Sequence, residues 1–354
     1  MISVILLSGL SLCLQLPGET SFQSDQVLTE LVSDWVQARI DKDPKKQEHA
    51  IVQLEETLRA KEIDLSDIHY WEGVFQNAIP YPAHPEGGTQ RSQWRDFEKP
   101  IAYRVPTQHA GNQNLRPLML VCGVGEGGLL LQKIPNEIAE KAFLVAVGLE
   151  NLQEASLSSE TRQHFLGSLA FAVQSFPVDR NQVWLLGLPE VQNETRLLSS
   201  YFPHLFSQVE VLPLPQGEGL SASSFLNSAP RNPYPLEFFA EFLIPSAGRN
   251  FWVQARQFDL PDPVRGPSSL RVKVNRESNT IHLNADRVYR VDLFLNDAIV
   301  DLGRPITIFR NGAPSRFLPA RSLPVMLENF ATNLDAQALF PTVIHGIDIP
   351  RQAP

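Results

Sequence analysis

The chain predicts an α/β fold: a parallel sheet with helices on both faces, preceded by helices and followed by a small β module. Three observations carry this. Short apolar runs alternate with helical repeats between residues 118 and 212, apolar stripes at helical spacing precede them, and a period-two pattern follows. The chain has 354 residues, 43% hydrophobic and 19% charged, enough to bury at least one large core. The net charge of -9, with no clustered Lys and Arg, excludes nucleic acid as a partner, because phosphate recognition needs concentrated positive charge.

Ile2 to Leu16 is apolar apart from Ser3, Ser8, Gly9, Ser11 and Gln15, too short to span a bilayer and of the length of a signal-peptide core. We therefore expect a signal over residues 1–20, export to the periplasm, cell envelope or exterior, and no transmembrane span once it is cleaved. The alternative is a buried N-terminal helix. Leu12, bulky where a small residue is needed, argues against lipid attachment at Cys13. With Cys13 in that segment, Cys122 is the other cysteine and no internal disulfide is expected.

Residues 25–78 form the expected N-terminal helical region. Leu28, Leu31, Val32, Trp35 and Val36 make one stripe and Ile51, Leu54 and Leu58 another, with a break at Asp43-Pro44. An α/β domain is expected over 79–228. It opens with a Pro- and Gly-rich loop (Pro80, Pro82, Pro85, Gly87-Gly88) and one strand at Ile101 to Val105. Strands follow at Leu118 to Cys122, Phe143 to Val147, Val183 to Leu186 and Val209 to Leu212. Helices are expected near Asn136 to Lys141, Phe165 to Phe176 and Glu194 to Ser200, and Pro213, Pro215 and Gly217 close the section. A β module with a closing helix is expected over 229–346: Leu270, Val272 and Val274 alternate with Arg271 and Lys273, and Ile306 and Ile308 flank Thr307. Asn279 and Asn311-Gly312 supply turns, and Leu323, Leu327, Phe330 and Leu334 repeat as a helix. The Pro-rich tail after Asp348 is expected to be loose.

Arg116-Pro117-Leu118-Met119-Leu120-Val121-Cys122-Gly123-Val124-Gly125 resembles a strand and glycine turn that, in secreted bacterial esterase-like α/β-hydrolases, ends in H-G-x-G and helps form the oxyanion hole. Phe176 to Leu188 resembles that family's helix end and elbow strand, and Tyr201-Phe202-Pro203-His204-Leu205-Phe206 its step before the next strand. The resemblance covers roughly Tyr103 to Leu212 and implies an α/β-hydrolase-like sheet, truncated because Leu212 to Tyr234 is too short for two further strands and a helix. It also implies a degenerate elbow at Gly187, Leu188, Pro189, Glu190 and Val191. Pro189 stands where the nucleophilic serine belongs, Glu190 brings a carboxylate to a site that stabilises negative charge, and Val191 replaces a glycine. Gly123, Val124 and Gly125 become a vestigial oxyanion turn, with Cys122 in place of the usual histidine. No histidine occurs between His204 and His282 to complete a triad.

The resemblance thus implies no catalytic residue, and the expected function is binding or scaffolding toward a protein, peptide or glycan ligand. The alternative is an esterase or peptidase with a relocated site using Glu190, His109 or His204. No cofactor and no metal are expected. Gly123, Gly125 and Gly128 approximate a dinucleotide fingerprint, with Glu150 as a ribose ligand, but the resemblance already accounts for the glycines. His84, His109 and Glu86 lack metal-ligand spacing. Ser168 falls within the helix pattern, His282 and His345 read as ordinary strand residues, and Trp184, Phe251 and Trp252 as core. Asn193-Glu194-Thr195 is a glycosylation sequon inside a predicted helix.

Overall fold

A computed structural model of the protein describes residues 25–81, 87–94, 97, 100–107, 114–149, 157–212 and 222–351. The expected signal at 1–20 lies outside them, as do Pro82, His84, Pro85, Glu86, His109, Glu150, Pro213, Pro215 and Gly217.

Three helices open the described chain: α1 (Gln26–Ile40), α2 (Pro44–Lys61) and α3 (Ile68–Ala78). Each starts on an aspartate that accepts an orphan backbone N–H. Asp25 takes Val27, Asp43 takes Lys46 and Asp67 takes Tyr70, all at 3.1 Å. Asp43-Pro44 is therefore a helix start, since proline at the first helical position surrenders no hydrogen bond. The expected stripes face inward, with Leu28, Val32, Trp35, Val36 and Leu54 buried.

The central sheet has six strands: β1 (Gly88–Ser92), β2 (Ile101–Val105), β3 (Arg116–Gly123), β4 (Phe143–Gly148), β5 (Val178–Gly187) and β6 (Gln208–Val211), in the spatial order β1-β2-β4-β3-β5-β6. β3 pairs in parallel with both β4 and β5, and β5 with β6, whereas β2 runs antiparallel to β1 and β4. The expected parallel sheet is thus the four-strand part of a mixed one, extended by a hairpin whose first strand was not expected. Among the described residues the sheet ends at β6. The crossover from β3 to β4 carries α4 (Gly127–Gln132) and α5 (Asn136–Ala139), and moves across the sheet in one direction. The crossovers through α6 (Ser159–Ser175) and α7 (Gln192–Tyr201) move in the other, so right-handed connections put the two sets on opposite faces. α8 (Ala222–Leu226) contacts α5. β3, β4 and β5 are buried nearly throughout, which explains their continuous apolar runs.

The C-terminal part is larger than a small module. One sheet orders β14 (Ala313–Phe317), β13 (Ile306–Arg310), β11 (Thr280–Asp286), β10 (Ser268–Asn275) and β7 (Glu237–Phe242). A second orders β15 (Thr342–Asp348), β12 (Val288–Leu295), β9 (Val253–Phe258) and β8 (Arg249–Asn250), and α9 (Leu323–Asn333) is the closing helix. Asn279 and Asn311 adopt positive φ at the expected turns. The tail is pinned rather than loose as far as Arg351: Ile349 is buried, its N–H donates to the Tyr289 carbonyl (2.8 Å), and Arg351 lies over the Tyr289 ring.

Buried apolar residues form two clusters. One fills the central sheet and its helices; the other joins both C-terminal sheets and α9 to α1, α2 and α3. The N-terminal helices therefore share a core with strands more than a hundred residues away in sequence.

Candidate functional site

The carboxyl edge of the central sheet brings the two glycine turns together. Cys122 and Gly187 are register partners on adjacent parallel strands, and the Leu188 N–H donates to the Cys122 carbonyl (2.9 Å). Pro189–Val191 makes one 3-10 turn before α7, with proline again at a first helical position. Gly187 is required by packing: a Cβ there would meet Thr195 Oγ1 at 2.4 Å and its Cβ at 2.8 Å. Thr195 donates to the Val191 carbonyl (2.9 Å) and is fully buried, so the sequon threonine belongs to the interior.

Apolar side chains pack against Gly123, while Val124, Gly125 and Glu126 after it are exposed. A Cβ on Gly123 would stand 2.7 Å from Leu130 Cδ2 and 2.8 Å from Leu188 Cδ1, so these leucines cover the strand end. Val191 and Leu188 are buried, Val124 is exposed, and Gly125 sits at φ +105°, a conformation that suits glycine. Cys122 is fully buried beside Thr195, and burial pushes its thiol up to about 12, so it is no thiolate nucleophile at neutral pH. Glu190 reaches outward to Lys133 (3.4 Å). Glu126, at the start of α4, pairs with Arg91.

The remaining candidates do not converge on Pro189. His204 precedes β6, at the opposite, amino edge of the sheet, so it cannot join Glu190 in one relocated site. His345 pairs with Asp292 (3.0 Å), His69 with Glu72 (2.9 Å), and His164 packs on Phe97. His282 is half-buried and stacks on Phe309 with centroids 4.6 Å apart, so its face of the strand is partly covered rather than open to solvent. Ser168 is fully buried within α6, and Trp184 and Trp252 are core residues. Leu130 and Leu188 pack against Gly123, whereas a Cβ on Gly125 would meet nothing within 4 Å and one on Gly128 would lie near Glu126 and Arg91. Among the described residues no group of three or more His, Cys, Asp or Glu side chains could hold a metal ion, and no helix is long and apolar enough to cross a membrane.

Sequence reasoning missed a second polar cluster, at the amino edge. There Arg180 on β5, Arg231 and Arg249 surround Asp335, which follows α9 directly. Arg231 binds Asp335 through Nη1 (2.9 Å) and Nη2 (3.0 Å), and Arg180 Nη2 stands 3.6 Å from Asp335 Oδ2. Burial opposes the charge on Asp335, but Arg231 and Arg180 overcome it and hold the carboxyl well below the usual carboxylate range. Burial, reinforced by Arg249 and Arg231, pushes His204 down to about 3 and keeps it neutral. The four residues are separated by up to 155 positions, and no local spacing announces them.

No family model matches this chain, and no curated protein does. Among solved structures it is similar to a thermostable esterase (16% identity, 34% of this chain and 39% of that one, TM-score 0.28). An arylesterase gives 15% identity over 55% and 61% of the two chains with a TM-score of 0.27. Esterase B from Lactobacillus rhamnosis HN001 gives 13%, 45%, 57% and 0.29. In each case the chain spans less than two thirds of the other structure's length.

Proposed function

We propose that this protein is an exported, non-catalytic member of the α/β-hydrolase-like folds, with a binding or scaffolding role. The observation that supports the reading is the turn after β5: Pro189, where the resemblance places the serine, offers no nucleophile. Glu190 adds a negative charge one residue on, which disfavours an oxyanion there. Export rests on the apolar stretch at residues 2–16. The direct test is hydrolysis of short-chain nitrophenyl esters by the purified protein. The reading expects no turnover above buffer; turnover abolished by a single substitution would overturn it.

A further inference from the structure

A cavity of about 350 Å³ lies at the amino edge of the sheet, between α6 and the end of α9. Leu169, Val173, Phe202 and Leu334 supply an apolar wall, and Arg180, His204 and Arg249 supply the polar one. The volume falls at the lower end of the range for small-molecule sites, about 300–1,000 Å³.

The charges around it do not balance. Asp335 is the one carboxylate paired with these arginines among the described residues, and Arg231 occupies both of its oxygens. Arg180 reaches it only at 3.6 Å, and among the described residues its Nε and Nη1 have no hydrogen-bond partner although the side chain is 4% exposed. Among the described residues Arg249 hydrogen-bonds only through Nε, to the Phe251 carbonyl (3.2 Å), and its guanidinium lies 4.3 Å over the Phe294 ring. The other nearby acids are engaged elsewhere: Asp179 accepts from Gln337 (3.1 Å) and the Asn181 N–H (2.9 Å), and Glu72 from Tyr234 (3.1 Å). The C-terminus of α9 offsets only about half a charge. His204 is neutral, with Nδ1 also unpartnered. Buried donors without acceptors are costly, and a ligand anion would satisfy them.

We infer that this cavity binds a small organic carboxylate with an apolar body, its head on Arg180 and Arg249 and its tail along α6 and Phe202. An inorganic anion would satisfy the arginines but leave the apolar wall unmatched; a neutral amphiphile would do the reverse. The inference names a ligand for the binding role proposed above and in that sense rests on it, although the two sites lie at opposite edges of the sheet.

The test titrates the full chain with octanoate, octanol and inorganic phosphate, by calorimetry and thermal melting, beside the nitrophenyl ester assay. Octanoate is expected to bind saturably and raise Tm, with octanol and phosphate weaker by about tenfold or more. Arg180→Met is expected to weaken octanoate by about tenfold or more, and Ala170→Phe to block it by filling the cavity with the arginines intact. Arg249→Gln carries the same expectation should Arg180→Met fail to fold. Octanoate binding no better than octanol, or no weaker in a folded arginine variant, overturns the inference. Absent ester turnover with no octanoate binding sinks this inference alone. Turnover with arginine-dependent octanoate binding sinks the non-catalytic reading alone.

Discussion

Replacing Arg180 by methionine is expected to leave the ligand-free protein as stable as before or to stabilise it by about 0–2 kcal/mol, although the residue is buried and contacts a carboxylate. The gross attraction between Arg180 Nη2 and Asp335 Oδ2, 3.6 Å apart, is about 4–5 kcal/mol at an effective dielectric of about 20. Against it stand a desolvation penalty of several kcal/mol for the guanidinium and about 1–3 kcal/mol for each unpartnered donor, Nε and Nη1. Repulsion from Arg231 further opposes the charge, and burial accordingly lowers the pKa of Arg180. Methionine keeps most of the apolar stem, and Asp335 keeps its two contacts with Arg231. Urea denaturation at pH 7, comparing midpoints at equal slopes, reads the difference. With octanoate at about a hundred times its Kd, wild type gains about 2.7 kcal/mol and the variant much less, which reverses the order. A loss of more than about 1 kcal/mol in the ligand-free variant would refute this balance and make Arg180 an ordinary structural ion-pair partner.

Asp335→Asn is expected to act in the opposite sense, costing about 3–5 kcal/mol in the same assay, because Arg231 and Arg180 lose their counter-charge. The folded pKa of Asp335 is depressed, so its contribution is complete above the unfolded value of about 3.9 and lost as pH falls through the folded one; the gap between wild type and variant should narrow below about pH 4. Pro189→Ser should fold, with stability changed by less than about 1 kcal/mol, and still show no nitrophenyl ester turnover, since an added hydroxyl supplies no base to activate it; measurable turnover would contradict the non-catalytic reading. Gly187→Ala should cost about 1–3 kcal/mol through the clash with Thr195, partly recovered by adding Thr195→Ala; equal stability of the single variant would show that α7 yields easily. Cys122 should resist a thiol reagent in native buffer at pH 8 and react on unfolding, because it is buried with its thiol pushed up to about 12.

Much of the central sheet is legible in the sequence because its strands are buried on both faces and its crossovers repeat at helical spacing. Leu118 to Cys122, Phe143 to Val147 and Val183 to Leu186 fall within β3, β4 and β5, and α7 and α9 begin within two residues of expectation. α4 escaped notice because Gly127 and Gly128 open it and disguise a helix as a loop. β1 was hidden for a different reason: Gly88 to Ser92 is a polar edge strand with little apolar signal. The size of the C-terminal part was underread because β12 is buried along most of its length and shows no alternation, while β8 is two residues long. Gly187 and Pro189 could be placed from local pattern. The cluster of Arg180, Arg231, Arg249 and His204 could not, since each is an unremarkable polar residue until the chain closes around Asp335.

The bond between Arg231 and Asp335 ties the stretch that leaves the central sheet to the end of α9, 104 residues later. Ending translation before that helix would leave Arg231 and Arg180 without their carboxylate and bare the flank of α6, while the C-terminal half alone would keep Arg231 beside Asp335 but lose Arg180 and the wall that α6 gives the cavity. Neither half is then a portable cassette. Gene shuffling that separated its halves would be expected to yield aggregates rather than two smaller proteins.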